Sequence, residues 1–159
     1  MISLIAAYDR NFLIGNKNKL PWNIPGELER FKNLTTNNVV LLGRKTFEGM
    51  KPLKNRLTLV ITHSPLRVST ENLRFVSSIE EAVKISRELK KNLYIAGGAE
   101  VYSQALPLCE RLFITEIDEE FFGDTYFPKF DESGFEKSVD FVCEGEIKYK
   151  YLTYVRKDC

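Results

Sequence analysis

Val39-Val40-Leu41-Leu42-Gly43-Arg44-Lys45-Thr46 is the stretch from which the rest of the chain is read. Its unbroken apolar run predicts a strand buried on both faces, and such strands belong to largely parallel sheets covered by helices. Gly43 ends the strand and Arg44-Lys45-Thr46 starts a helix. Free backbone N–H groups, a hydroxyl and two cations thus gather at the carboxyl end of a strand, where open α/β sheets bind ligands. Leu93-Tyr94-Ile95-Ala96 followed by Gly97-Gly98 repeats the arrangement. Paired glycines at a helix start let a ligand approach the backbone closely. Either turn alone is an ordinary structural corner, but the pair, with Arg44 and Lys45 on one, predicts a seat for a diphosphate such as a dinucleotide carries.

Working outward, Ile2–Tyr8, Leu57–Ile61 and Leu73–Val76 are further short apolar runs. Helices are predicted between them over 26–33, 79–89 and 98–106, the second opened by a Ser78-x-x-Glu81 capping box. Residues 112–117, 135–142 and 149–155 alternate without intervening helices and predict antiparallel strands at one edge. The pattern is α/β, and 159 residues make one domain.

Composition excludes several classes of function. With 43% hydrophobic and 28% charged residues the chain folds. A net charge of +1 gives no field that would steer nucleic acid or anionic lipid, so neither is an expected partner. No apolar run approaches the roughly 18–20 residues needed to cross a bilayer. The start of the chain lacks a basic leader with a long apolar region, so a cytoplasmic location is expected. Cys109, Cys143 and Cys159 are too widely spaced for a disulfide framework or a zinc site; free thiols are expected, two buried and Cys159 at a fraying end.

A single histidine, His63, rules out a His-rich metal site, and no metal is expected. Just past a strand end, His63 is either a solvent-facing loop residue or a ligand contact. Neither GxxxxGK[ST] nor GxGxxG occurs. In Leu20-Pro21-Trp22-Asn23-Ile24-Pro25-Gly26-Glu27-Leu28-Glu29-Arg30-Phe31, Glu27 shares a helix face with apolar residues. It is either a first-turn acid complementing the helix dipole or a carboxylate aimed into an apolar cleft. The neighbouring Pro-Trp-x-x-Pro favours the cleft.

Ile5-Ala6-Ala7, Leu13-Ile14-Gly15, Leu20-Pro21-Trp22, Glu27-Leu28-x-x-Phe31, Gly43-Arg44-Lys45-Thr46 and Pro52-Leu53-x-x-Arg56 are followed by Gly97-Gly98-Ala99-x-Val101-Tyr102, Thr115 and Gly123-Asp124-Thr125-x-Phe127-Pro128. In this order and spacing the chain resembles bacterial dihydrofolate reductases from end to end. The resemblance implies an eight-stranded, mostly parallel sheet with four helices, and an adenosine-binding subdomain over roughly residues 38–89. It also implies reduction of 7,8-dihydrofolate with NADPH, antifolates as inhibitors, and a monomer.

Carried over, the resemblance makes Glu27 the pterin-binding acid, with Trp22 and Leu20 near the water that delivers the proton, Thr115 bonded to the carboxylate or pterin, and Tyr102 near the nicotinamide. Ile5, Ala6, Leu28, Phe31, Met50, Leu53 and Ala96 line the substrate cleft, and Arg56 pairs with the glutamyl α-carboxylate. The backbone of Ala7 and Ile14 holds the carboxamide, with Gly15 and Leu20 beside it. Gly43, Lys45, Thr46 and Gly97, Gly98, Ala99, Glu100 and Val101 hold the pyrophosphate, and Arg44, Thr62, His63 and Ser64 surround the 2′-phosphate. Glu27 stands where bacterial members most often carry Asp; with Glu100 and its neighbours, this is similar to mobile-element reductases insensitive to trimethoprim. Two other classes stay in view. A related fold reduces a pyrimidine riboside in riboflavin synthesis, but without the Pro-Trp-x-x-Pro-x-Glu segment. A non-catalytic nucleotide-binding protein would have no use for Trp22, Glu27 and Arg56 in register.

Overall fold

The computed structural model describes residues 1–17, 20–50, 53–63 and 69–157. In chain order the elements are β1 (Ile2–Tyr8), β2 (Leu13–Gly15), α1 (Glu27–Thr35), β3 (Val39–Gly43), α2 (Arg44–Glu48), β4 (Leu57–Ile61) and β5 (Leu73–Val76). They continue with α3 (Ile79–Glu88), β6 (Leu93–Ile95), α4 (Ala99–Ala105), β7 (Arg111–Ile117), β8 (Thr125–Tyr126), β9 (Phe135–Glu144) and β10 (Lys148–Arg156). Eight strands form one sheet in the order β5-β4-β3-β6-β1-β7-β10-β9. Pairing is parallel from β5 to β7 and antiparallel through β10 and β9. From β1 the chain passes over the place of β6 to reach β3, and from β6 it passes over β1 to reach β7. Its direction of travel therefore reverses around β6 and β1, and the carboxyl ends of the strands there open a crevice.

Strand alternation assigns the two faces. Leu4, Ala6 and Tyr8 of β1 join Leu41, Ile95 and Ile114 in the main core, beneath Ile79 and Ala82 of α3 and Val101, Tyr102 and Ala105 of α4. On the other face, Ala7 of β1, Thr115 of β7 and Tyr151 of β10 are register partners and form a row across three strands. Helix α1 crosses this row, yet Thr35 is its only fully buried residue and Leu28 stays 83% exposed. An apolar helix edge left open beside the crevice is suited to a ligand rather than to the core.

Local chemistry moves some predicted boundaries. Helix α1 begins one residue later than expected because Gly26, at φ 87°, takes the left-handed cap position. It ends two residues beyond Asn33 because the Thr35 and Thr36 hydroxyls donate to the carbonyls of Phe31 (2.7 Å) and Lys32 (2.6 Å). The capping box of α3 is half formed: Ser78 Oγ accepts from Glu81 N–H. The Glu81 carboxylate reaches past the cap to the N–H and hydroxyl of Ser77 instead, which offers two donors rather than one. Cys109 is buried, its thiol pushed up to about 12 by desolvation; Cys143 is only half-buried because it lies on the edge strand β9; Cys159 lies outside the described residues.

The two-stranded ribbon β2-β8 was not anticipated, since two- and three-residue strands carry no periodicity to read. Its organiser is Asp9, buried at the end of β1. One carboxylate oxygen accepts from the N–H groups of Asn11 and Leu13 (both 2.9 Å) and the other from that of Phe121 (2.8 Å). Asp9→Ala leaves three backbone donors without their acceptor and costs about 2–4 kcal/mol. A lower urea midpoint at unchanged m-value checks this. Arg10→Ala, which removes only the exposed Arg10–Asp118 pair, leaves the midpoint near wild type.

Candidate active site

At the crevice the first turn of α1 meets the row across β1, β7 and β10. Thr115 Oγ1 lies 2.9 Å from each carboxylate oxygen of Glu27, across 88 residues of chain. Burial raises the Glu27 pKa, while the Thr115 hydrogen bond and the Arg30 charge lower it; burial prevails. The result is a carboxyl group that holds its proton to higher pH than an exposed glutamate, a perturbation of the kind found at functional sites.

Arg30, one helical turn from Glu27, was missed in the sequence. Its Nη1 donates to Thr115 Oγ1 at 3.0 Å, and its guanidinium lies 4.1 Å above the Tyr151 ring. The available signal was the i, i+3 spacing that puts it on the Glu27 face.

Trp22 packs with Ile24, Ile117 and Tyr149, and its ring centroid lies 5.5 Å from that of Phe121. Its Nε1–H is a buried donor with no protein partner among the described residues, which suits it to bind a ligand or a water. Tyr102 reaches across from α4 to donate to the Ile5 carbonyl at 2.7 Å, and burial keeps its hydroxyl protonated far above neutrality. Phe31, Met50 and Leu53 are half-buried, and Leu20 is exposed. Ile5 faces the α1 side, but the Ala6 side chain belongs to the core beneath α4, so of Ala6 only the backbone can serve the cleft.

Arg56 is buried at the far end of α1. Its Nε donates to the Lys54 carbonyl (2.8 Å) and its Nη1 to Thr35 Oγ1 (3.2 Å), with the guanidinium 5.9 Å from the Phe31 ring centroid. Burial lowers its pKa, and no carboxylate among the described residues pairs with it. A fixed, desolvated cation with no counter-charge among the described residues is suited to pair with an external carboxylate.

The two glycine turns come together. Gly43 N–H donates to the Gly97 carbonyl at 2.9 Å, beside the cis Gly97–Gly98 peptide. A Cβ on Gly97 would stand 3.2 Å from Thr46 Cγ2, and one on Gly98 3.0 Å from Thr46 Oγ1. Only glycines let the start of α2 approach this closely. Residues Ala99, Glu100 and Val101 follow on α4, with the exposed Glu100 reaching Gln104 at 3.5 Å. Lys45 is exposed, and Arg44 forms an exposed ion pair with Glu48 at 3.1 Å. Thr62 is buried with its N–H on the Val76 carbonyl, and His63 is exposed; Ser64 lies outside the described residues. Ala7, Ile14 and Ala96 are half-buried and Gly15 is buried.

An open, mostly parallel sheet with twin glycine-lined βα turns beside a recessed carboxylate defines an α/β enzyme of the nucleotide-dependent kind. The family model described as dihydrofolate reductase matches residues 1–156, and the chain belongs to the dihydrofolate reductase family. It is 39% identical to dihydrofolate reductase type A13 of Escherichia coli over 99% of this chain and 95% of that one. It is 40% identical to dihydrofolate reductase of Bacillus subtilis (strain 168), covering 99% and 96%. The solved dihydrofolate reductase from Enterococcus faecalis, complexed with NADP(H) and RAB-propyl, superposes with a TM-score of 0.88 at 38% identity, covering 99% of this chain and 97% of that one. Family membership makes this chain an enzyme that reduces dihydrofolate with NADPH.

Proposed function

We propose that Glu27 binds the pterin of 7,8-dihydrofolate and supports protonation of N5 while a hydride passes to C6, yielding tetrahydrofolate for one-carbon metabolism. The observation that carries this reading is the half-buried Glu27 carboxylate, held by the buried Thr115 beside the open apolar edge of α1. Its two oxygens suit the 2-amino and N3 donors of a pterin, and its raised pKa suits proton traffic. NADPH, when bound, supplies the hydride. For its part the chain offers the joined turns at Gly43 and Gly97 to the pyrophosphate, and the carboxyl ends of β1 and β6 to the nicotinamide. Arg56 receives the glutamyl tail, and Trp22 Nε1–H donates to a water or the pterin. NADPH oxidation with dihydrofolate added or omitted tests the reaction; oxidation that does not depend on dihydrofolate overturns it.

Residues 38–89 form the adenosine side of the molecule in this reading, with Arg44, Thr62 and His63 around the 2′-phosphate. Because Arg44 must exchange Glu48 for that phosphate, Arg44→Leu weakens NADPH binding by about tenfold and NADH binding hardly at all. Equal losses for the two cofactors in fluorescence titrations refute the assignment.

We infer that the segment after Gly15, of which Asn18 and Lys19 lie outside the described residues, closes over the nicotinamide, anchored at its start by the ribbon. The Asp124 N–H donates to the Gly15 carbonyl (3.1 Å), and the Asp124 carboxylate accepts from Lys17 N–H (3.2 Å). A Cβ on Gly123 would stand 2.6 Å from the Gly15 oxygen and 2.8 Å from Leu13 Cδ1. Gly123→Val therefore forces the ribbon apart and slows single-turnover hydride transfer at unchanged ligand affinity; an unchanged rate in a folded variant contradicts the loop's role.

Among the described residues no helix is long and apolar enough to cross a membrane. A cytoplasmic monomer is the state we propose. Glu27, one methylene longer than Asp, moves the carboxylate toward the ligand, and we infer reduced sensitivity to trimethoprim. Glu27→Asp then lowers the inhibitor concentration needed for half inhibition.

A further inference from the structure

Arg30 presents a structural problem. It is a half-buried cation on a helix whose outer face is open to solvent, yet it turns inward. Its Nη1 donates to Thr115 Oγ1 at 3.0 Å, and its guanidinium carbon lies over Tyr151, 4.1 Å from the ring centroid. Thr115 has one hydroxyl hydrogen and accepts through its lone pairs. With an Arg30 N–H directed at the oxygen, that hydrogen is left for Glu27, whose two oxygens both lie 2.9 Å away. The chain of donors runs in one direction, from guanidinium to hydroxyl to carboxylate, and each bond polarises the next.

Among the described residues, the charged and titratable groups that act on these donors are few. Tyr102 of α4 and Tyr151 of β10 feel the Glu27 charge, and both are pushed up by burial and so remain neutral. Tyr149 and Cys143 lie beyond Tyr151, and the Tyr149 hydroxyl is pushed up to about 12. Asp140 of β9 also attracts the Arg30 charge. It occupies a bulge, since Tyr151 pairs with Phe141 while the next residue, Leu152, pairs with Val139. The hydroxyls of Ser138 and Thr153 hold the Asp140 carboxylate. Among these groups Arg30 is the only cation acting on Glu27, and it opposes the burial that would otherwise favour the protonated acid.

We propose that Arg30 is a positioning residue for the reduction: through Thr115 it fixes the orientation of the Glu27 carboxylate, and through its charge it sets how readily Glu27 takes up a proton. The inference rests on the reading of Glu27 as the pterin-binding acid. Removing the charge favours the protonated acid, so the pH at which Glu27 ionises moves upward. The rate of hydride transfer, which falls as Glu27 ionises, then holds to higher pH. A residue that merely filled space would move neither.

The test compares wild type, Arg30→Leu, Arg30→Lys and Glu27→Gln. The ionisation of the Glu27 carboxyl is followed by carbon NMR in ligand-free protein and identified by its loss in Glu27→Gln. Single-turnover hydride transfer with saturating NADPH and dihydrofolate is followed across pH. Arg30→Leu is expected to shift both midpoints upward, and Arg30→Lys, which keeps the charge, to stay closer to wild type. Should the Arg30→Leu variant not fold, Arg30→Gln makes the same comparison, keeping a donor for Thr115 without the charge. Midpoints that are unchanged or lowered in the charge-free variant, with the midpoint absent from Glu27→Gln, overturn the role of Arg30 alone. A hydride-transfer midpoint that persists in Glu27→Gln overturns the reading of Glu27, and the inference with it.

Discussion

Glu27→Gln slows hydride transfer at neutral pH by about 10²- to 10⁴-fold, the usual worth of positioned acid–base assistance. The amide preserves the shape of the side chain and can still accept from Thr115, but it cannot carry a proton. The loss is greatest at neutral and higher pH and shrinks in acid, where the substrate is already protonated. In wild type the rate falls as pH rises through the raised Glu27 pKa. Stability follows the same linkage with a sign unusual for a carboxylate. The folded state holds the Glu27 proton to higher pH than the unfolded chain does, so stability is lost between the ordinary glutamate pKa and the raised one, and stays lost above it. The Gln variant lacks this penalty, so its thermal midpoint at neutral pH is expected to equal or exceed that of wild type. A slow, fully folded variant is therefore the expected result. Wild-type hydride-transfer rates at neutral pH would return Glu27 to the role of an acid that complements the dipole of α1.

Arg56→Leu raises the KM for dihydrofolate by about 10- to 100-fold with little change in NADPH affinity, because it removes a charge-assisted pair from a site where the cation has already been desolvated. The variant also loses the bonds to the Lys54 carbonyl and Thr35 Oγ1, so a stability cost accompanies it. The control is a truncated pterin lacking the glutamyl group, whose kinetics are expected to differ little between the two proteins. Arg56→Lys separates charge from geometry: the ammonium restores attraction without the planar fork, and recovery is expected to be partial. An equal loss for the truncated pterin removes the glutamyl tail from the role of Arg56.

Much of the frame was legible along the chain. The runs at 2–8, 39–42 and 57–61 read as buried strands because a strand covered on both faces is apolar throughout, and each lies inside the main sheet; the run at 73–76 joins the same sheet as its edge strand β5, where only Val76 is buried because no further strand covers it. The alternating segments at 135–142 and 149–155 read as an antiparallel edge for the opposite reason, since β9 keeps nearly all its side chains exposed, whereas the segment at 112–117 lies inside the sheet as β7, parallel to β1 and antiparallel to β10. Gly43, Gly97 and Gly98 marked the turns because a missing Cβ is itself a geometric statement. Glu27 stood out as an acid among apolar neighbours. Arg30 did not, since arginine on a helix usually faces solvent and nothing nearby in sequence shows that Tyr151 will lie beneath it. Asp9 and the β2-β8 ribbon were equally hidden, because the groups that meet them arrive from residues 121–126.

Local order was thus set by sequence alone: which segments are strands, where they turn, and which residues bear charge. These depend on torsional preference and on the period of apolar side chains, both of which act over a few residues. What the tertiary structure decided was which of these features touch. Thr115 faces Glu27 because β7 pairs with β1 in the register Ala7–Thr115 and with β10 in the register Tyr151–Thr115. Gly43 meets Gly97 because β6 inserts between β3 and β1. Such pairings are selected by the burial and hydrogen bonding of the whole sheet at once, where a shift of one residue would turn Thr115 away from α1 and into the opposite core.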